Sequence, residues 1–251
     1  MENKIPKVIH YCWFGGNPLP PVAEKCIASW KKFLPDYEIK RWDESNFNVN
    51  MIPYTSQAYE AKKYAFVSDY ARFWILYNYG GIYFDTDVEV IRPMEDIIAA
   101  GPFMGCENPY KAEETPSKLG VNPGLGIGVR QNHDFYKNIL DKYSTLRFIR
   151  SNGALDTTTV VEYITETLCS YGLKNTPKTQ EVAGIKIYPV DYFCPMDYET
   201  GKITITDNTV SIHRYAKSWH GKKEKLYYMV SKILGKKSAK FISAIWKLLH
   251  K

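Results

Sequence analysis

The sequence predicts an α/β protein, and three observations carry that expectation. Residues 7–42 run strand, helix, strand at the spacing of a βαβ unit. Residues 63–94 read as a helix, a double glycine, a short apolar strand and a pair of carboxylates. Beyond them, short apolar runs at 103–106 and 125–129 precede helical segments at 133–145 and 157–171, and a further apolar run follows at 185–189.

Taken in order, Lys7 to Trp13 is a first strand, with Val8, His10 and Cys12 on one face and Ile9 and Tyr11 on the other. A lone His10 in such a strand is most simply a hydrogen-bonded structural histidine. Gly15, Gly16, Asn17 and Pro18 break the chain. Pro21 to Leu34 is an amphipathic helix with Val22, Cys26, Ile27 and Trp30 as its buried stripe. Pro35-Asp36 closes it, and Tyr37 to Trp42 alternates as a second strand, expected to lie parallel to the first. A short helix is expected near Ser56 to Lys62.

The stretch Lys63 to Met94 organises the rest. Phe66, Tyr70, Phe73, Trp74 and Tyr77 recur at three- and four-residue spacing, the period of one helix face. Gly80 and Gly81 stop that helix, and Ile82-Tyr83-Phe84 fits a buried strand. Asp85-Thr86-Asp87 follows where the chain must turn. Two carboxylates so placed repel unless a cation or hydrogen-bond donors compensate them, and Mg²⁺ or Mn²⁺ suits one or two such ligands together with phosphate oxygens. On the helix, Ser68 and Arg72 share a face with Asp69 beside them. They form either a sugar or nucleotide clamp or an Asp–Arg pair solvated on the helix surface.

Val88 to Ile91 and Phe103 to Cys106 read as further strands. Asn108 to Asn122, polar and rich in Lys, Glu and Pro, is expected to be a flexible loop on the acceptor side. The run from Asn122 to Val129 is rich in glycine but matches neither a Walker loop nor Gly-x-Gly-x-x-Gly opening a helix. Leu125, Ile127 and Val129 form a strand there whose glycines admit something close to the backbone. His133 to Thr145 and Thr157 to Tyr171 are helices, with Asp156 an N-cap of the second. Contact of Asp156 with a transferred sugar stays open beside that reading. Ile185 to Pro189 is a strand and Tyr192 to Pro195 an apolar turn. Ile203 to Ile205 and Thr209 to Ile212 read as a hairpin around Asp207-Asn208.

The compound pattern Ala65-x-x-Ser68-Asp69-x-x-Arg72, leading into Gly80-Gly81-x-Tyr83-x-Asp85-x-Asp87, resembles the DXD sugar-binding region of glycosyltransferase family 32. It also resembles the catalytic core of the large clostridial glucosylating toxins. Ser211 to Trp219 is similar to that family's His-x-x-x-x-Ser-Trp element, with His213, Ser218 and Trp219 in register. The resemblance implies a GT-A fold, a Rossmann-like nucleotide-sugar-binding architecture, and a metal-dependent, retaining transfer of a hexose or N-acetylhexosamine. By the same resemblance Tyr11 and Trp13 lie beside the base, Asp69 and Arg72 orient the donor, and Asn122 lies near its sugar. Asp85 holds the ribose or a metal-bound water. Asp87 and His213, with Asp85, hold Mn²⁺ or Mg²⁺, and Ser218 and Trp219 hold the diphosphate.

Bulk properties bound these readings. A chain of 251 residues buries a sizeable core, and 45% hydrophobic with 24% charged residues is ordinary for a soluble globular protein. The 20 Tyr suit carbohydrate or base stacking as well as packing. Five cysteines, odd in number and without Cys-x-x-Cys, imply neither a zinc site nor a disulfide framework. The N-terminus MENKIPKVIHYCWFGG lacks the apolar stretch of a signal peptide, and a cytoplasmic location is expected. The net charge is +6, yet nine Lys and one Glu in 222–251 give +8, leaving −2 for residues 1–221. That balance argues against a nucleic-acid-binding surface. It divides the chain into a catalytic domain, 1–221, and a basic tail, 222–251, whose Trp, Phe and Leu opposite a Lys-rich side read as a membrane-surface helix or as one docked on the domain.

The expected activity is transfer from a nucleotide-sugar, UDP-galactose first, to an oligosaccharide or lipid-linked glycan in surface polysaccharide synthesis. The alternatives are a nucleotide-sugar hydrolase, a toxin-like transferase acting on a protein, or a non-catalytic carbohydrate-binding protein.

Overall fold

The structure, a computed structural model, describes residues 4–216. Ser218, Trp219 and the basic tail lie outside the described residues. The chain opens with the expected βαβ unit: β1 (Val8–Cys12), α1 (Pro21–Phe33) and β2 (Glu38–Trp42), with β2 parallel to β1. Proline at the start of α1 loses nothing, because the first helical N–H has no intrahelical partner. The buried stripe of α1 is Ala23, Cys26 and Trp30, continued by Leu34, while Val22 and Ile27 are half-buried flanks. The stripe shifts to Ala23 because α1 packs closely on the strand Val88–Val90: Trp30 Nε1 donates to Val88 O at 2.7 Å, and Val90 N donates to Ser29 Oγ at 2.9 Å.

Helix α2 (Pro53–Glu60) starts three residues before its expected position, at a proline. Helix α3 (Tyr64–Tyr79) is buried on more than the one face its aromatics suggest. Val67, Asp69, Ala71, Arg72, Ile75 and Leu76 are buried, while Phe66, Trp74 and Tyr77 are only half-buried. The reason is its place: α3 lies between the sheet and two helices, α2 and the helix Asp134–Thr145, and a helix covered on several sides is apolar around its circumference.

Strand β3 (Gly81–Tyr83) continues the parallel run, with Ile82 opposite Ile9. Gly81 has φ 102°, and a Cβ there would lie 2.6 Å from Val8 O, so only glycine brings the strand this close. Then follow β4 (Val88–Val90), α4 (Glu95–Ala99), β5 (Phe103–Cys106), β6 (Val121–Asn122) and β7 (Ile127–Val129). The order ends with α5 (Asp134–Thr145), α6 (Val160–Ser170), β8 (Gln180–Val182), β9 (Ile185–Tyr188), α7 (Val190–Phe193) and β10 (Ser211–His213). The main sheet runs β2-β1-β3-β7-β5-β9-β8, with β6 beside β5; β4 and β10 form a second, two-stranded sheet.

The α/β class is as the sequence predicts, but the sheet is mixed. β1, β2 and β3 are parallel, as are β5 and β9, whereas β7 runs antiparallel between β3 and β5. One apolar layer joins α3, α5 and α6 to the sheet; the other joins α1, β4 and α7 to its opposite face.

Three local expectations change, and a fourth is met from within the chain. Residues 108–122 are tied down: Asn108 N donates to Leu119 O at 3.1 Å, Asn175 Nδ2 donates to Lys111 O and Glu114 O, and Pro116–Leu119 forms a 3-10 turn. The expected hairpin does not form. Residues 211–213 pair with β4, because Asp191 accepts from Thr206 and Asn208 and turns the chain toward that open edge. The N-cap of α6 is Thr159, in a capping box with Glu162. Asp156 accepts instead from Arg150, Tyr163 and Thr158 N. Finally, the glycines of the 122–129 run admit the chain's own side chains, with Asp85, Phe84 and Phe103 facing Gly124, Gly126 and Gly128. No helix among the described residues is long and apolar enough to cross a membrane.

Candidate active site

Asp85-Thr86-Asp87 forms the turn between β3 and β4, at the open end of the parallel strands. Two backbone bonds fix it: Asp85 N donates to Gly124 O at 3.1 Å and Val88 N to Asp85 O at 3.0 Å. β10 then carries His213 to it, since antiparallel pairing sets His213 opposite Val88. Arg214 clamps this pairing from the next position, donating to Glu89 Oε2 through Nε at 2.6 Å.

His213 Nε2 lies 3.1 Å from Asp87 Oδ1, while Asp87 Oδ2 accepts from Ala216 N at 2.8 Å. Ligand atoms of Asp85, Asp87 and His213 all fall within 4.8 Å of one another. Burial works against charging His213, yet the adjacent Asp87 carboxylate holds its pKa well above the usual value. Burial likewise opposes ionising Asp87, and the His213 partner lowers its pKa. Two carboxylates and an imidazole are a donor set that fits Mn²⁺ or Mg²⁺ and leaves positions for phosphate oxygens and water.

Arg72 lies beneath the turn, 4% exposed, so the Asp69–Arg72 pair is buried and not a solvated surface pair. Its Nη2 is 2.7 Å from Asp69 Oδ1 and 3.3 Å from Asp85 Oδ1, and its guanidinium stands over the Tyr83 ring at 4.9 Å. Tyr83 OH donates to Asp85 Oδ1 at 3.1 Å. One cation therefore bridges a helix carboxylate and the first Asp of the turn. Burial pushes the Asp69 carboxyl up to about 7 against the pull of Arg72; the Asp85 carboxyl is raised by burial in the same way. Ser68 meets Arg72 through its carbonyl, which accepts from Nε at 3.2 Å, and its hydroxyl donates back to Tyr64 O.

Tyr11 and Trp13 leave the end of β1 beside β3. Tyr11 is buried, edge-on to Trp30 at 5.8 Å, and half-buried Trp13 donates its indole N–H to Asn17 O at 2.6 Å. His10 is a structural histidine: Nδ1 accepts from Trp42 Nε1 and Nε2 donates to Gly80 O, both at 3.0 Å. Asn122 is buried in β6 next to the turn. Its Oδ1 accepts from Gly124 N at 2.7 Å, and its Nδ2 donates to Glu107 Oε2 at 2.8 Å. Gly124 in turn faces Asp85, since a Cβ there would lie 2.1 Å from Asp85 Oδ2.

Two residues of this cluster escaped the sequence reading, Glu107 and Gly124. A signal for Glu107 exists: it is an acidic residue directly after the apolar strand Phe103–Cys106, as Asp85 follows the apolar run Ile82-Tyr83-Phe84.

Comparison with known proteins agrees with this picture. Residues 20–104 match the family model described as a glycosyltransferase sugar-binding region containing a DXD motif. Inositol phosphoceramide mannosyltransferase 1 of Schizosaccharomyces pombe is 26% identical over 248 residues, spanning 92% of this chain and 67% of its own length. The glycosyltransferase L373 of Acanthamoeba polyphaga mimivirus is 28% identical over 228 residues, 86% of this chain and 84% of its own. Among solved structures, the PaToxG glycosyltransferase is similar over 67% of this chain and 70% of its own, at 20% identity and a TM-score of 0.47. The match over 20–104, which carries Asp85 and Asp87, and the two likenesses over most of this chain support a family 32-like glycosyltransferase.

Proposed function

We propose that the chain is a metal-dependent, retaining transferase that moves a hexose or N-acetylhexosamine from a nucleotide-sugar to a glycan hydroxyl. The observation that carries this reading is the meeting of Asp85 and Asp87, from one turn, with His213, from a strand more than a hundred residues on, and with Arg72 buried directly behind. A bound Mn²⁺ or Mg²⁺ would supply charge to the diphosphate leaving group. Asp87 and His213, with Asp85, would hold that ion. Its binding would displace the proton His213 keeps against Asp87.

The bond from the anomeric carbon to the diphosphate oxygen breaks, and its electron pair stays with the diphosphate. The acceptor oxygen bonds to the same carbon from the same face, and its proton passes to the departing phosphate oxygen. Asp69 and Arg72 orient the donor, Tyr11 and Trp13 flank the base, and Ser68 supports Arg72 through its carbonyl. The family resemblance alone assigns Ser218 and Trp219, outside the described residues, to the diphosphate. No enzyme nucleophile is invoked.

UDP-galactose is the first donor to test, and GDP-mannose stands beside it because a relative is named a mannosyltransferase. That relative's name also includes a lipid, which supports a lipid-linked acceptor. Together with the lysine-rich 222–251 segment it supports work at the cytoplasmic face of a membrane, in surface polysaccharide synthesis.

The test is a thermal-shift screen of UDP- and GDP-sugars, each with Mn²⁺ and with chelator. A donor at a hundred times its Kd adds about 2.7 kcal/mol, or roughly 5–10 °C in Tm for a domain of this size. The expected result is a shift for one nucleotide class, abolished by chelator and by Asp87→Ala. A folded protein that no nucleotide stabilises would leave carbohydrate binding without catalysis as its activity.

A further inference from the structure

Glu107 is the first residue beyond the apolar strand β5. Its N–H donates to Gly120 O at 2.8 Å, which pins the segment leading into β6. Side chains alternate along a strand. Phe103 belongs to the apolar layer that holds Phe84, Val88 and Leu125, and Glu107 continues the face of Phe103 and Gly105. That is the face on which the Asp-Thr-Asp turn stands. Asn122 bonds both Glu107 and Gly124, and Gly124 lies against Asp85, so Glu107 stands close to the Asp-Thr-Asp turn.

Its neighbour Asn122 has an amide orientation that leaves no choice. Gly124 N can only donate, so the Asn122 oxygen must face it, at 2.7 Å, and the NH₂ must face Glu107 Oε2, at 2.8 Å. A carboxylate accepts at both oxygens and an amide nitrogen donates twice. Glu107 Oε1 and the second Asn122 N–H therefore remain, and neither has a partner among the described residues. An open acceptor and an open donor stand side by side.

Strand order says what they face. Moving across the sheet from β1, which carries Tyr11 and Trp13, one meets β3 with Asp85, then β7, then β5 with Glu107. A donor whose base lies at β1 and whose diphosphate lies at Asp85 and Asp87 extends its sugar toward β7 and β5. There Gly124 leaves the backbone uncovered beside Asp85.

We propose that Glu107 is a specificity-determining residue of the transferase, reading hydroxyls of the transferred sugar together with Asn122. This rests on the nucleotide-sugar reading of the cleft. One sugar hydroxyl donates to Glu107 Oε1 and a neighbouring sugar oxygen accepts from Asn122 Nδ2. Epimers that place these groups differently leave a desolvated carboxylate unpaired.

The test compares binding of a nucleotide-sugar with binding of its nucleoside diphosphate, by calorimetry with Mn²⁺. The probes are UDP-galactose, UDP-glucose, UDP-N-acetylglucosamine and GDP-mannose, with UDP and GDP. In Glu107→Ala, affinity for the preferred nucleotide-sugar should fall about ten- to a hundredfold, the loss of a hydrogen bond to a charged group. Affinity for the nucleoside diphosphate should change by less than about twofold. Glu107→Gln still offers an oxygen to Asn122; it should keep the fold and bind the preferred sugar with intermediate affinity and weaker discrimination between epimers. Equal loss for nucleotide-sugar and nucleoside diphosphate would overturn the assignment in favour of a purely structural role, and no loss for either would overturn it outright. If the wild-type chain binds none of the six probes, the donor-site reading itself falls, a result distinct from a variant that matches a binding wild type.

Discussion

Asp85 is held from three directions: Arg72 Nη2 at 3.3 Å, Tyr83 OH at 3.1 Å, and the uncovered backbone of Gly124 against its other oxygen. A methyl group at position 124 would fall 2.1 Å from Asp85 Oδ2, so the carboxylate would have to rotate off Tyr83 and Arg72. Gly124→Ala should therefore weaken donor binding in Mn²⁺ by about tenfold or more. It should also lower stability by about 1–3 kcal/mol, the usual cost of forcing extra volume into a packed site. Calorimetry and urea unfolding read the two effects, and undiminished donor affinity would remove Asp85 from the donor site. At this scale the sequence exposes the residues that belong to a long pattern: Asp69, Arg72, Asp85, Asp87 and His213. Glu107 and Gly124 stay hidden because each is a single common residue in a polar or glycine-rich stretch. Their meaning comes from what stands opposite them.

Helix α6 shows how local signals compete. Thr157, Thr158 and Thr159 stand in a row after Asp156, and any of the four could cap a helix. Glu162 decides among them. Its carboxylate accepts from Thr159 N at 2.7 Å while its own N–H donates to Thr159 Oγ1 at 3.2 Å, a reciprocal pair available only three residues apart. Asp156 is taken by Arg150 Nη2 at 2.9 Å and Tyr163 OH at 3.1 Å, contacts from outside the cap. Thr159→Ala should cost about 1 kcal/mol of stability in urea unfolding, with metal-dependent donor binding intact. A loss within error would mean that tertiary packing alone holds the start of the helix. The capping box was written in the sequence. The burial of α3 on several sides was not, because its aromatic spacing records one face and says nothing of how many layers will cover the helix.

At the scale of the whole molecule, His10 ties β1 to Trp42 of β2 and to Gly80 at the end of α3. Burial lowers its pKa to about 4, with the Gly80 bond opposing. The unfolded chain binds this proton more readily than the folded one. The associated stability is therefore present above about pH 6.5 and is lost progressively as the pH falls toward 4. The full span is about 3 kcal/mol. Denaturant midpoints of wild type and His10→Gln should differ most at pH 7 and converge toward pH 4. A gap that stays constant with pH would show that His10 is not held neutral.

The α/β class, the βαβ opening, and the helix, double glycine, strand and carboxylate turn are all legible in the order of residues alone. These rest on periodicity, on backbone freedom at glycine and on residues close together in the chain. The antiparallel entry of β7 between β3 and β5, the pairing of 211–213 with β4, and the meeting of Glu107 with Asn122 near Asp85 emerge from the folded chain. Which strand edges pair, and which polar groups face one another, depends on the packing of segments far apart in the chain, and no local pattern encodes it.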